Sequence, residues 1–344
     1  MSIPVFCSYI RRKDMDSVLN CLVTDSIGPG EISERFNKAT REALGFDYGF
    51  SLRSPYVALS LALEALGVKN GDAIAVPALA PAYYGKVAEE KGLSLVFIDC
   101  AESGLAPDAG AIEAAISTSE KKPVALVLFE PLGILPEPEL ISGLGLHVIE
   151  DISQGIRAYR GESKAGTIGE LSILGLESKG IVTTGGGALL FAKARREGIV
   201  LRNMAEGVSP ELKITDYNAA LGVAQLKELE SNLAKRRELY AVFSQSLART
   251  KHRLLGAEGE GEPGFWAFPV ALESGMKDVR AYAKKKEVDT EPAFEDSLVG
   301  VGYVPEGLCP RARSLVLRSL LFPLHERIGT SGAQKISRVL ATLP

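Results

Sequence analysis

Two short stretches of this sequence bring together residue types suited to amine and proton chemistry. Glu150-Asp151 closes the apolar run Leu146–Ile149. Ser178-Lys179-Gly180 follows, Lys179 lying 28 residues beyond Asp151 and just ahead of Ile181-Val182-Thr183-Thr184-Gly185-Gly186-Gly187. A carboxylate at the C-terminal end of a strand stands where open α/β sheets gather their ligand-binding groups; the same place also suits an ordinary turn-capping aspartate. A lysine held partly out of water has a lowered pKa, so it can act as a neutral nucleophilic amine and then carry a proton. A lysine left in solvent is only a surface charge. Gln154, in the turn after Asp151, is the third polar candidate.

These residues need strands and turns to position them. Apolar β-type runs recur at Ala73–Val76, Leu95–Ile98, Val124–Phe129, Leu146–Ile149 and Ala188–Phe191. Runs apolar on both faces imply a parallel sheet covered on both sides. Helical patterns lie between them, at Tyr56–Leu66 behind Ser54-Pro55 and at Asp108–Ile116 behind Pro107-Asp108, each with a cap and a first-turn proline. This alternation predicts an α/β fold. A helical pattern from Thr215 to about Thr250 leads out of the sheet region, and Gly256–Gly264 reads as a loop. Phe265–Leu272, Val279–Lys286 and Gly332–Leu343 then read as strand, helix and helix. The expected division is residues 1–235 and 236–344.

The ordered series Asp151-Ile152-Ser153-Gln154, Lys179, then Gly186-Gly187 before a strand resembles the DegT/DnrJ/StrS family of sugar-nucleotide aminotransferases. Its usual run is Glu-Asp-x-x-Gln, a lysine and a threonine-rich turn ending in Gly-Gly. Further stretches fall in the same order: Gly28-Pro29 before Phe36, Ala58–Leu63, Val76-Pro77, Leu201-Arg202-Asn203, Thr215–Gly222 through Gln225-Leu226, and Cys309-Pro310. The resemblance implies an aspartate-aminotransferase-type fold (fold type I), with a large domain on a mostly parallel sheet flanked by helices and a smaller C-terminal α/β domain. It implies pyridoxal 5'-phosphate (PLP) as cofactor, with Lys179 as its covalent anchor and proton carrier. Asp151 would hold the ring nitrogen protonated, which makes the ring an electron sink, and Gln154 would lie near the ring hydroxyl. It also implies a homodimer, a keto-sugar nucleotide or related carbonyl substrate, an amino acid such as glutamate as amine donor, and a place in polysaccharide biosynthesis. Lysine at this position goes with transamination, since dehydratases of the family carry histidine there.

Several positions depart from the family pattern. The phosphate-binding Ser-Gly-Thr turn reads Ser54-Pro55-Tyr56, and proline has no N–H to offer an anion. Ser54 and Tyr56 are the candidates left at that turn, although Ser54 before Pro55 is also good helix-start chemistry. A serine ahead of the lysine corresponds to Leu174 or Gly175, an asparagine from the neighbouring subunit to Glu211, and the ring-stacking aromatic to Pro81, with Tyr83 and Tyr84 close behind. Two readings follow. In one, an active enzyme rebuilds its phosphate site from Thr183, Thr184 or Arg53; in the other, a degenerate relative without PLP acts as a binding or regulatory homodimer. A nucleotide-binding Rossmann protein is excluded, because Gly185-Gly186-Gly187 precedes a strand instead of opening a helix.

With 344 residues, 46% of them hydrophobic, the chain can bury a large core. Its net charge of −4 gives no basic field for nucleic acid or an anionic membrane. Cys7, Cys21, Cys100 and Cys309 lack metal or disulfide spacing, so no metal site is expected. The absence of a signal pattern or a long apolar run predicts a cytoplasmic protein. Arg202, Trp266 and His325 remain as substrate-contact candidates; Trp266 beside Phe265 and Phe268 reads as core of the C-terminal domain, and His325 as a packed or surface residue.

Overall fold

The computed structural model describes residues 2–102, 104–256 and 261–344. Helices α1 (Arg12–Val23) and α2 (Glu31–Leu44) lead into β1 (Tyr48–Leu52). Then α3 (Pro55–Ala65), β2 (Ala73–Pro77), α4 (Tyr83–Lys91), β3 (Ser94–Ile98), α5 (Ala109–Thr118) and β4 (Ala125–Phe129) alternate. They are followed by α6 (Pro138–Ser142), β5 (His147–Asp151), the short β6 (Tyr159–Arg160) and β7 (Ser163–Lys164), β8 (Leu171–Gly175) and β9 (Ala188–Ala192). Helices α7 (Arg195–Gly207), α8 (Asp216–Leu226) and α9 (Leu229–Leu247) carry the chain onward. The remainder is β10 (Arg253–Leu254), β11 (Gly261–Glu262), β12 (Phe268–Ala271), α10 (Met276–Lys285), β13 (Glu291–Pro292), α11 (Pro310–Arg318), β14 (Ser319–Phe322) and α12 (Thr330–Leu340).

Seven strands form the main sheet in the order β1-β9-β8-β5-β4-β2-β3. The five from β8 to β3 run parallel, whereas β9 at one side pairs antiparallel with both β8 and the edge strand β1. The apolar runs are buried on both faces: Ile74 and Val76 of β2 face one core cluster, Ala73 and Ala75 the other, and β4 divides in the same way. Parallel register sets the ends of three strands side by side, Phe129 opposite Asp151 and Asp151 opposite Ile173, so Phe129, Asp151 and Gly175 share one rim. A second, wholly antiparallel sheet, β10-β12-β14-β13, packs a separate apolar cluster with α9, α10 and α12.

The pattern read at Thr215–Thr250 is two helices, broken at Lys227-Glu228, where Glu228 meets Arg11 at 2.7 Å and Lys13 at 2.5 Å. The strand read from Phe265 starts only at Phe268, because Phe265 has φ +50° and the Phe265 and Trp266 carbonyls accept from Arg236 instead of a neighbouring strand. Asp108 caps α5 from outside the helix, so Pro107 is not a first-turn proline. The last helix lies earlier than Gly332–Leu343, and of the loop read at Gly256–Gly264, residues 257–260 lie outside the described residues. The N-terminal helices and the strands β1 and β8 were not legible as elements, since β1 contains Gly49 and β8 is a five-residue run without turn signals on both sides.

Candidate active site

Asp151 is the last residue of β5 and has no exposed surface. Its Oδ1 accepts from the Ser153 N–H at 3.0 Å and the Ser153 hydroxyl at 2.5 Å; its Oδ2 accepts from the hydroxyls of Tyr83 at 2.9 Å and Tyr84 at 2.7 Å. Four donors from its own chain therefore fix the carboxylate in place. Burial, and the charge of Asp151, push both tyrosine hydroxyls well above their ordinary range, which keeps them protonated and donating. Behind Asp151 a further carboxyl is buried. Glu130 follows β4, and neither of its oxygens finds a donor. Burial raises its pKa well above normal, and the neighbouring Glu150 adds to the rise; the protonated form can itself donate to Glu150. Glu150 in turn accepts from the Gly166, Ile168 and Gly169 N–H groups.

Lys179 stands in the turn after β8, half-exposed, with Nζ 2.7 Å from Oε2 of Glu291 and 5.2 Å from the centre of the Phe6 ring. Glu291 belongs to β13, so this ion pair joins the rim of the main sheet to the second sheet. Between the two lies a cavity of about 350 Å³, with Asp151, Gln154 and Lys179 among its lining residues. Pro55, Tyr83, Ser153, Glu177 and Trp266 also reach it, and residues 291–297 form its far wall. Half-burial raises the Glu177 carboxyl.

The sequence-derived candidates thus separate. Lys179, Asp151 and Gln154 meet at one pocket, Gln154 accepting the Leu132 N–H through Oε1 at 2.7 Å. Ser54 and Tyr56 do not line it: the Ser54 hydroxyl caps α3 by accepting from Val57, and the Tyr56 hydroxyl turns to the carboxylate of Glu90. Thr183 and Thr184 are buried and spend their hydroxyls on the Leu176 and Gly186 carbonyls, and Glu211 is exposed against Ser209. Trp266, expected in the C-terminal core, packs on Phe6 and lines the pocket instead. His325 is buried, its ring paired to the Pro4 carbonyl, and Arg202 lies over the Tyr48 ring. Glu291, Glu295, Asp296 and the tyrosine pair were not singled out as partners of Asp151 and Lys179; no local pattern marks them, because they arrive from distant parts of the chain.

The residues fit two ends of a PLP molecule and not the third. An amine, on Lys179, and a carboxyl group, on Asp151, are present for the aldehyde and the ring nitrogen. At the phosphate end the first helical residue is Pro55, the Val57 N–H is already taken, and among the described residues the pocket's lining holds no arginine or histidine.

A family model described as the DegT/DnrJ/EryC1/StrS aminotransferase family matches residues 8–341. The chain is 27% identical over 302 residues to GDP-perosamine synthase of Caulobacter vibrioides, covering 82% of this chain and 81% of that protein. Among solved structures, the aminotransferase TlmJ from Streptoalloteichus hindustanus superposes with a TM-score of 0.87 at 21% identity, covering 99% of this chain and 98% of the other. The E. coli GDP-4-keto-6-deoxy-D-mannose-3-dehydratase with bound hydrated PLP superposes at 0.86 and 18% identity, covering 99% and 100%. These two structures share the fold.

Proposed function

This chain belongs to the DegT/DnrJ/EryC1/StrS aminotransferase family, and from that premise we propose that it transfers an amino group from an amino acid to a keto-sugar nucleotide at the Lys179 pocket. It is an enzyme of a PLP-dependent transaminase family. The observation that carries the reading is the meeting of one lysine and one buried carboxyl group, held by four donors, at a single cavity on the C-terminal rim of the parallel strands. A sugar-nucleotide substrate is supported by the name of the Caulobacter relative.

In this reading Lys179 would anchor the cofactor ring and would hold and move a proton at Nζ. The ring, when bound, supplies an electron sink. Asp151 would hold a proton at the ring nitrogen, its carboxylate positioned by donors from Ser153, Tyr84 and Tyr83. Tyr83 is the one of the two tyrosines that lines the cavity. Trp266 and Leu79 exclude water from the cavity wall. The reading includes the division at residue 235, supported by the separate apolar cluster of the second sheet, and a homodimer, supported by exposed Met15, Leu19 and Leu22 on α1. No helix among the described residues is long and apolar enough to cross a membrane, and a cytoplasmic location belongs to the same reading.

The test is Lys179→Ala in purified protein. Wild type treated with a pyridoxal compound and borohydride should carry the label on the Lys179 peptide and should aminate a keto-sugar nucleotide with glutamate as donor. The variant should lose the label and slow turnover by about a hundredfold to ten-thousandfold. Label retained elsewhere with unchanged turnover would remove Lys179 from the chemistry.

A further inference from the structure

We propose that this pocket takes a pyridine aldehyde or amine without its phosphate, so that pyridoxal and pyridoxamine fit it better than their phosphate esters. This rests on the reading of Lys179 and Asp151 given above and concerns the opposite end of the ligand.

Charge is the first ground. Five carboxylate residues line the cavity, Asp151, Glu177, Glu291, Glu295 and Asp296, against the single cation Lys179. That cation is already matched by Glu291 at 2.7 Å. A dianionic ester entering here meets like charge on several sides, and in a partly enclosed cavity such repulsion is screened less than at an open surface.

Missing donors are the second ground. The N-terminus of α3 reaches the cavity through Pro55, which has no N–H, and the Val57 N–H is occupied by Ser54. The space is filled as well. A β-carbon placed on Gly175 would lie 3.0 Å from the Pro55 ring and 2.9 Å from the Ser153 hydroxyl, so ring and hydroxyl close over the end of β8. The threonine hydroxyls that could replace the lost donors bond within their own turn.

The other end is suited to an uncharged aldehyde on a protonated ring. Asp151 offers the anion, and Lys179 the amine. In the bond-forming step Lys179 Nζ bonds to the aldehyde carbon and the aldehyde oxygen leaves as water with two of the ammonium hydrogens. The nitrogen keeps one hydrogen and its positive charge beside Glu291, and no oxidation state changes.

Trp266, the chain's one tryptophan, lines the cavity and reports on it directly. Full-length protein should be titrated separately with pyridoxal and with PLP, following Trp266 fluorescence at low and at high salt, with borohydride mapping of Lys179. The expected result is about tenfold tighter binding of pyridoxal at low salt, with the gap narrowing as salt rises. The double variant Glu295→Gln with Asp296→Asn should shift the preference severalfold towards PLP. PLP binding as tight as or tighter than pyridoxal in wild type overturns the proposal. If neither compound changes Trp266 fluorescence or labels Lys179, the aminotransferase reading of the site fails with it, an outcome distinct from a mere preference for the phosphate.

Discussion

His325 and Asp151 are both buried polar side chains with opposite solutions to burial. Four donors converge on the oxygens of Asp151. His325 has one acceptor, the Pro4 carbonyl at 3.1 Å, so Nε2 carries the hydrogen and the ring is neutral. Burial drives its pKa down to about 4, and the positive charges of Arg236 and Arg327 act in the same direction. The unfolded chain binds a proton at this histidine near pH 6.5, whereas the folded chain resists until about 4. Its burial is therefore harmless above pH 6.5 and destabilises progressively between 6.5 and 4, by on the order of 3 kcal/mol at the acid end. His325→Gln keeps the donor without the titration. Urea unfolding measured from pH 7 to pH 4 should show the variant losing less stability than wild type by about that amount; identical pH profiles would refute the assignment.

Helix α2 illustrates how one element depends on another. Its N-cap, Gly30, has no side chain to satisfy the free N–H groups of the first turn. Asp216, the first residue of α8, supplies the carboxylate from 186 positions away, accepting from Gly30, Ile32 and Ser33 at 2.9, 3.2 and 2.8 Å. Glycine is required at position 30 for this approach, since a β-carbon there would stand 2.9 Å from the carboxylate. The negative charge also opposes the positive end of α2. Asp216→Ala should cost about 3 kcal/mol by denaturant unfolding, Asp216→Asn about half as much, and amide exchange should accelerate first in the opening turn of α2. A uniform change in exchange across both helices would instead point to global loosening.

At the scale of the whole molecule, Arg236 joins three segments. It is buried in α9 and donates to the carbonyls of Phe265, Trp266 and Leu324 while pairing with Glu326 at 3.2 Å. The strap carrying Trp266 to the cavity and the segment after β14 thus share one guanidinium. Removing it leaves a buried carboxylate and three carbonyls without their donor. Arg236→Ala should lower unfolding free energy by about 3–5 kcal/mol and shift the Trp266 emission to longer wavelength in the folded state. Stability loss without the emission shift would mean that Arg236 does not set the tryptophan's position.

Much of the architecture was legible in the sequence, because burial on both faces leaves a local mark: five of the main-sheet strands, including β2, β4 and β9, announce themselves as short apolar runs between helical patterns. The same local logic puts Asp151 at a strand end and the Gly-rich turn ahead of β9, and the order of Asp151, Gln154 and Lys179 indicated the family. What tertiary structure alone decided is the company these residues keep. Tyr83 and Tyr84 reach Asp151 from 68 and 67 positions earlier, and Glu291 reaches Lys179 from 112 positions later. Trp266 leaves the cluster expected for it and packs on Phe6, 260 positions earlier in the chain. Periodicity reports whether a side chain is buried; it carries no record of which distant polar group shares the burial. The balance of carboxylates and cations around the cavity therefore arises only when strand rim and second sheet close on each other.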